Sequence, residues 1–307
     1  MNAVKVFVPA TIGNIGPGFD VLGMALDSFG DEIALQIVKG PSQILSVIGR
    51  DAELIPTDPD RNVIVRSALA YLMEKEGTQD FGVQVTVSRR LPVSGGLGSS
   101  AAAAVGGALA AAHACGQPFT DQEILSAALA GESMVAGRHL DNIAPCYFGG
   151  VTLVQRLDPP LVQKIPVQGN FHIVVVTPQL QLSTKQARGV LPTSLNTAQW
   201  TQQMAFSIGL AVGLSCGNSQ LIKDSLHDTF AEPARSHLIP NFASVKQAAL
   251  DSGALGASIS GAGPTIFAIF DSADNAQRAL PAMVKAFAPL NAEGVVTKIS
   301  QSGARLL

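Results

Sequence analysis

Pro92-Val-Ser-Gly-Gly-Leu-Gly-Ser-Ser-Ala-Ala102 lies between a strand pattern and a helix pattern, and its composition decides what that junction can hold. Ahead of it, Val83-Gln-Val-Thr-Val87 alternates apolar and polar residues with period two, as a half-buried strand does. Behind it, Ala101–Ala112 is almost wholly small and apolar and reads as a helix. Gly95, Gly96 and Gly98 put no Cβ between the backbone amides and an incoming ligand. The positive end of the helix dipole lies beside those amides and favours an anion. Ser99 and Ser100 add hydroxyls for a phosphate or a metal ion. A Walker loop carries Lys after its last glycine; here that place is Ser99, so a P-loop NTPase is excluded. The plain alternative is a serine-capped turn that packs an alanine helix against a sheet. Three glycines and two serines at one helix start exceed what a cap requires, which weights the reading toward phosphate.

Outward from this loop the pattern is α+β. Val4–Val8, Glu32–Ile37 and Val151–Val154 read as strands, and a Gly/Pro/Asn loop is expected at 11–18. Asn62–Lys75 carries apolar residues at helical spacing, and Thr120-Asp-Gln-Glu123 is a capping box opening a helix to about Val135. Arg156–Gly169, with Pro159-Pro160 and Pro166, is the expected joint, dividing the chain into 1–160 and 161–307. Beyond it come a strand at His172–Thr177, helices at Ser183–Gly189 and Thr197–Cys216, and a helix after Asn241. Two strands flank Ser260–Gly263, followed by a helix near Ala273–Phe287 and a last strand near Val295–Lys298.

Composition sets the outer bounds. A chain of 307 residues suits two domains. Charged residues make up 14%, against about 25% in ordinary soluble domains, and hydrophobic ones 47%, so a large core is expected and disorder is not. A net charge of −3 argues against nucleic acid as a partner, since that binding draws on a basic surface. Cys115, Cys146 and Cys216 are far apart, without disulfide-framework or zinc spacing. The apolar run at 101–112 falls short of the ~20 residues that cross a bilayer. The expectation is a soluble, reducing, cytoplasmic protein with no membrane partner. Low charge content leaves an apolar homodimer interface and a well-filled monomer core equally open.

Four separated blocks together resemble one family. Pro92–Ala102 resembles the P-x-x-x-G-L-G-S-S-A-A signature of the GHMP kinases, named for galactokinase, homoserine kinase, mevalonate kinase and phosphomevalonate kinase. Pro9-Ala-Thr-Ile-Gly-Asn-Ile-Gly-Pro-Gly-Phe-Asp-Val-Leu-Gly23 is similar to the N-terminal motif of the homoserine-kinase branch. Gly137-Arg-His-Leu-Asp-Asn-Ile-Ala-Pro-Cys-Tyr-Phe-Gly-Gly150 is similar to its His-x-Asp-Asn-x-Ala-Pro block, and Ser260-Gly-Ala-Gly-Pro-Thr265 to its C-terminal glycine loop. The blocks run in order from end to end. The resemblance implies a two-domain α+β kinase, an S5-like N-terminal domain followed by a ferredoxin-like one. It also implies the phosphorylation of L-homoserine by ATP with Mg²⁺, as in threonine biosynthesis.

Residue by residue, the resemblance places ATP on Pro92, Gly95, Gly96, Leu97, Gly98, Ser99, Ser100 and Ala101, with Asn62 on the adenine side. It gives Mg²⁺ to Ser100 and Glu132, hard oxygen donors that suit the ion. Arg188 and Arg235 fork a substrate carboxylate. Asp20 and Asn14 take the ammonium and backbone, Thr184 adds a hydroxyl contact, and His139 and Asn142 flank Asp141, which orients the reacting hydroxyl, the family pattern leaving open whether it also takes the proton. Arg89 and Arg90 read equally well as solvated strand-end residues and stay outside the site. Two departures stand out. Ile12-Gly13-Asn14 replaces the usual Ser-Ala-Asn, which is expected to loosen the loop, and Arg138 brings a charge near the acceptor site. A sugar, mevalonate or shikimate-like acceptor leaves Asp20 without a charge partner, and residues 13–19 lack the galactokinase-type signature. A nucleotide sensor without catalysis is the other class, although it has no need to keep Glu132 and Asp141.

Overall fold

Two antiparallel-rich sheets, each backed by helices, follow from those alternating segments; the computed structural model describes residues 3–77 and 80–307. The first is built from β1 (Val4–Gly13), β2 (Leu22–Lys39), β3 (Gln43–Gly49), β4 (Phe81–Arg89), β5 (Val151–Leu157) and β6 (Pro160–Ile165). Helices α1 (Val63–Glu76), α2 (Ser99–Cys115), α3 (Asp121–Glu132) and α4 (Ile143–Phe148) belong to the same half. The second half holds β7 (His172–Pro178), α5 (Thr184–Gly189), α6 (Thr197–Cys216), α7 (Ser219–Ser225), α8 (Ala231–Arg235) and α9 (Phe242–Asp251). It continues with β8 (Gly256–Ile259), β9 (Ile266–Phe270), α10 (Ala273–Ala286) and β10 (Ala292–Lys298), and the chain closes on β11 (Arg305–Leu306).

The first sheet runs β11-β1-β2-β4-β3, with β5 on the early half of β2 and β6 on β5. The second runs β10-β7-β9-β8, so its own strands stand in the order 4-1-3-2 with α10 crossing between the third and fourth. That is the expected ferredoxin-like arrangement. The boundary at 160 needs correction, because it cuts the β5–β6 hairpin; sheet membership puts the joint between Ile165 and His172 and returns β11 to the first sheet. A proline at the first residue of an edge strand forfeits no ladder bond, so Pro159-Pro160 mimics a linker in sequence. The loop expected from 11 also starts late, since Thr11–Gly13 still pairs with β2.

α2 is enclosed on every side, by β1 and β2 on one face and α1, α3 and α4 on the others. Ala101, Ala102, Ala104, Val105, Ala108 and Ala110–Ala112 have no exposed surface. An all-round apolar helix of this length is a core helix, and among the described residues no helix is long and apolar enough to cross a membrane. Small side chains let its neighbours close in and hold its N-terminus rigidly where the glycine loop arrives. The two halves are joined along β2 and β10: Thr297 Oγ1 donates to the Asp27 carbonyl at 2.7 Å, and the Ser300 amide to that of Ala25 at 2.9 Å.

Candidate active site

Between β4 and α2 the backbone of the glycine loop turns its carbonyls away from a cavity of about 370 Å³. The Ser94 carbonyl accepts from the Leu182 amide (3.5 Å), Gly95 from the Thr265 amide (3.3 Å), Leu97 from the Thr11 amide (3.1 Å) and Gly98 from the Ala102 amide (2.8 Å). The Gly96 carbonyl accepts from Ser260 Oγ at 2.5 Å. None of the amides of Gly95, Gly96, Leu97 and Gly98 donates to a described residue. The first amides of α2 are unpaired for the ordinary reason that a helix start has no acceptors behind it. The product is a continuous run of free N–H groups at a positive helix end, the arrangement that binds phosphate.

The glycines serve this differently from the expectation. A Cβ on Gly96 (φ +81°) would stand 2.5 Å from the Ser260 carbonyl oxygen, and one on Gly98 (φ +69°) would strike the Thr11 hydroxyl. Their missing side chains make room for protein behind the loop, and the ligand gains because the loop is held.

The two serines separate. Ser100 Oγ donates to Glu132 Oε1 at 2.8 Å. Glu132 is 2% exposed and its Oε2 has no hydrogen-bond partner among the described residues. Burial raises the carboxyl to about 7, against the pull of His139 and the Ser100 hydroxyl. A buried, half-unsatisfied carboxylate beside a hydroxyl is a donor set that a hard divalent cation completes. Ser99 instead accepts from Arg89 Nη2 at 2.6 Å. Arg89, expected among solvated residues, is 4% exposed, lines the cavity and lies 3.6 Å from Asp31. Asp31 in turn accepts from the Arg90 and Leu91 amides at 2.7 and 2.9 Å, fixing the approach to the loop.

At the end of the cavity expected to take the adenine, Leu54, Ile55, Pro56, Asn62 and Ile64 form the wall. Asn62 Oδ1 caps α1 through the Ile64 and Val65 amides, and its Nδ2 donates to the Pro56 carbonyl at 2.8 Å. The carboxamide therefore shapes this wall from within it.

The acceptor end gathers side chains from distant parts of the chain. His139 Nδ1 lies 3.1 Å from Asp141 Oδ1, off-line for a directed hydrogen bond, and its Nε2 meets the Ala136 carbonyl at 2.9 Å. Burial opposes a charge on His139, yet Asp141 outweighs it and holds the imidazole at about 9, so at neutral pH it is a cation. Asp141 Oδ2 accepts from the Asn14 amide at 3.1 Å while Oδ1 accepts from no one. Asn142 Oδ1 takes the Thr11 hydroxyl at 2.8 Å. Arg188 grips Asp20 through two bonds of 3.0 and 2.7 Å. Asp20, expected to be free for an ammonium, is thus already paired with the arginine expected to hold the carboxylate. Arg235, 2% exposed, donates to the Ala187 and Gly261 carbonyls at 2.9 and 3.1 Å and lies over the Phe19 ring with Arg188.

Asn14, Asp20, Asn62, Gly95, Gly96, Gly98, Ser99, Ser100, Glu132, His139, Asp141, Asn142, Thr184, Arg188 and Arg235 all line the one cavity. Pro92, Leu97 and Ala101 do not: their side chains are buried behind the loop, and only their backbone belongs to it. Arg138 also departs from expectation, facing solvent beside Asp158 at 3.6 Å. Gly13 tightens its loop, since a Cβ there would overlap Asp141 and Asn142. Sequence gives Asp31 no place, leaves Arg89 outside the site, and shows Ser260 and Thr265 only as the ends of a glycine-loop block with no role of their own; only the alternation ending β4 hinted that Arg89 points inward.

Comparison with known proteins agrees with this geometry. Residues 62–150 match the model of the GHMP kinases N terminal domain, and residues 210–289 that of the GHMP kinases C terminal domain. A homoserine kinase of Chlorobium phaeovibrioides is 38% identical over 320 residues, covering 100% of each chain. The crystal structure of homoserine kinase from Cytophaga hutchinsonii superposes with a TM-score of 0.93 at 39% identity, covering 100% of this chain and 98% of that one. L. major mevalonate kinase, crystallised with R-mevalonate, shares the fold at a TM-score of 0.71 and 16% identity, covering 99% of this chain and 97% of that one. The chain belongs to the GHMP kinases and, within them, to the homoserine kinase family.

Proposed function

We propose that this chain transfers the γ-phosphoryl group of ATP to the side-chain hydroxyl of L-homoserine, giving O-phospho-L-homoserine for threonine biosynthesis. The observation that carries the reading is a single cavity with a run of free amides at one end and, at the other, Asp141 Oδ1, which accepts no hydrogen bond from a described residue and has only the His139 ring beside it at 3.1 Å. An anion and a hydroxyl bound there would meet between Ser100 and Asp141.

The amides of 95–101 receive the triphosphate, and the nonpolar wall at 54–56 receives the base. Ser100 and Glu132 would hold Mg²⁺, which when bound neutralises phosphate charge and fixes the phosphate oxygens. Phosphoryl transfer proceeds through a loose transition state, so in-line placement and charge neutralisation supply most of the acceleration. Arg235 and Arg188 bind the amino-acid carboxylate, Asp20 the ammonium, and the hydroxyl hydrogen-bonds to Asp141 Oδ1. As the O–P bond forms and the bond to ADP breaks, Asp141 takes the hydroxyl proton, with the His139 cation beside it. Asp141→Asn keeps an acceptor oxygen but removes the base, and turnover at saturating L-homoserine should fall by about 10²-fold or more; unchanged turnover leaves Asp141 as an orienting group only.

The reading is tested by ADP release from Mg-ATP with L-homoserine, mevalonate, galactose, L-serine and shikimate in parallel. Release with L-homoserine and a phosphorylated product by mass is expected; release with another acceptor alone overturns the assignments of Arg188 and Arg235. Three free cysteines support a reducing, cytoplasmic setting. A homodimer belongs to the same proposal: Trp200, Met204, Ile208 and Val212 present an apolar stripe to solvent at every fourth residue of α6. Sedimentation velocity that finds only monomer removes it.

A further inference from the structure

The second half of the chain reaches the phosphate loop from behind with hydroxyls. Thr265 Oγ1 donates to the Gly95 carbonyl at 2.5 Å, and Ser260 Oγ to the Gly96 carbonyl at 2.5 Å. Thr177 Oγ1 lies 2.6 Å from Thr265 Oγ1. Since the Thr265 proton is spent on Gly95, Thr177 is the donor in that pair, and the three groups form a directed relay into the loop. Ser260 and Thr265 have no exposed surface, and Thr177 is 6% exposed. Buried hydroxyls are costly unless satisfied, and an apolar pair would fill this interface as well.

What these hydroxyls do follows from peptide geometry. In a planar trans peptide the carbonyl of one residue and the N–H of the next point in opposite directions. Pinning the Gly95 carbonyl therefore aims the Gly96 amide, and pinning the Gly96 carbonyl aims the Leu97 amide, both away from the second half and toward the cavity. Glycine peptides turn over easily; without its hydroxyl the Gly96 carbonyl has no other donor among the described residues, and the Gly95 carbonyl keeps only the Thr265 amide at 3.3 Å, so both following amides are aimed less firmly. Donors fixed before the charge arrives need no reorganisation when it does.

We propose that Ser260 and Thr265 are positioning residues for the phosphoryl donor: their hydroxyls, backed by Thr177, hold the Gly95 and Gly96 carbonyls so that the Gly96 and Leu97 amides stand ready for the nucleotide's phosphates. The proposal rests on the reading of the loop as the nucleotide site. It explains why the two glycine loops touch, and why Gly96 has no room for a Cβ against the Ser260 and Gly263 carbonyls.

The test measures the dissociation constant of Mg-ATP by titration calorimetry, without acceptor, for Ser260→Ala, Thr265→Val and Thr265→Ser, with the melting temperature of each. Ser260→Ala and Thr265→Val should weaken Mg-ATP about ten- to a hundredfold, the scale on which small misplacements act. Thr265→Ser, which keeps the hydroxyl, should bind like the wild type. In turnover, KM for L-homoserine should move less than twofold in all three. Folded Ser260→Ala and Thr265→Val with wild-type affinity would overturn the proposal, as would a Thr265→Ser that binds no better than Thr265→Val, because the side chain's bulk would then be what matters. If Thr265→Val does not fold, Ser260→Ala decides alone. A wild type that binds Mg-ATP yet releases no ADP with L-homoserine removes the acceptor reading and leaves this one standing; a wild type with no nucleotide affinity overturns both.

Discussion

The two ends of the cavity are made of different material. At the phosphate end the chemistry is backbone: free amides between Ser94 and Ala101, with carbonyls held outside by Thr11, Leu182, Ser260 and Thr265. At the acceptor end it is side chains, and before any substrate arrives these are paired with one another, Asp20 with Arg188 and His139 with Asp141. A backbone site recognises the charge and shape shared by all nucleoside triphosphates and depends on rigidity. A side-chain site recognises one molecule and depends on exchanging its internal partners for those of the substrate. Substitutions should therefore divide the two ends: those of the acceptor end's binding groups, Asp20, Arg188 and Arg235, should move the acceptor's KM, Asp141 at the point of transfer should move turnover, and those around the loop should move the nucleotide's affinity and the rate.

The largest expected effect is at Glu132, the carboxylate bonded to Ser100 at the phosphate end. Glu132→Gln keeps the bond to Ser100 but removes the charge, and kcat should fall by about 10²–10³-fold. Initial rates across a Mg²⁺ titration check it, and the variant should need more Mg²⁺ for half-maximal rate. Retention of the wild-type rate and Mg²⁺ requirement would mean that the backbone alone manages the phosphate charge.

The difference in material also sets what sequence can tell. Three glycines and two serines before an alanine run mark a loop that binds with its backbone, because only glycine fits its torsions and close contacts. The cap of α3 is equally readable, the reciprocal box of Thr120 and Glu123, whereas Asn62, expected on the adenine side, is found capping α1. Asp20 and Arg188 lie 168 residues apart, and their pairing is set by tertiary packing that no local pattern encodes. Arg89 was misjudged because a charged residue ending a strand is ordinarily solvated, whereas here Asp31 arrives from the neighbouring strand to receive it. β3 and β11 escaped for other reasons: Gln43-Ile-Leu-Ser-Val-Ile-Gly49 does not alternate, and a two-residue strand carries no period at all.

Next in size is Arg235→Ala, which should raise KM for L-homoserine about 10- to 100-fold, the cost of losing a charged hydrogen-bond donor, while KM for ATP stays within a factor of about two. An equal rise for both would break the comparison, because Arg235 also holds Gly261 in the loop that clamps the phosphate end. Asp20→Asn sharpens it further. L-homoserine brings an ammonium for Asp20 and a carboxylate for Arg188, so it can replace their ion pair without leaving either charge alone. 4-Hydroxybutanoate brings only the carboxylate and strands Asp20. Asp20→Asn should therefore raise KM for L-homoserine and lower it for 4-hydroxybutanoate. Each change should be only a few-fold, because the pair is about one-third exposed and exposed pairs are weak. A rise for both acceptors would show that Asp20 mainly braces the site.

The smallest effect separates the ends by pH. Backbone amides do not titrate, whereas His139 does. Its pKa in the folded chain is about 9, above the ordinary 6.5, so the folded state binds this proton more tightly than the unfolded one. The stability this confers is complete below pH 6.5 and is lost as pH rises through about 9. Glu132, raised to about 7, acts with the same sign at lower pH: its contribution is complete below 4.5 and lost as pH rises through about 7. The unliganded protein should therefore melt at progressively lower temperature from about pH 5 to pH 9, in two overlapping legs. His139→Gln should remove the upper leg and, with the imidazolium's pull on Glu132 gone, carry the lower leg to higher pH, which thermal melts at matched ionic strength show. Glu132→Gln leaves the upper leg by itself, and a Glu132→Gln, His139→Gln double variant that still falls between about pH 7 and pH 9 would assign that leg to another group and remove the imidazolium from the account of how Asp141 is held.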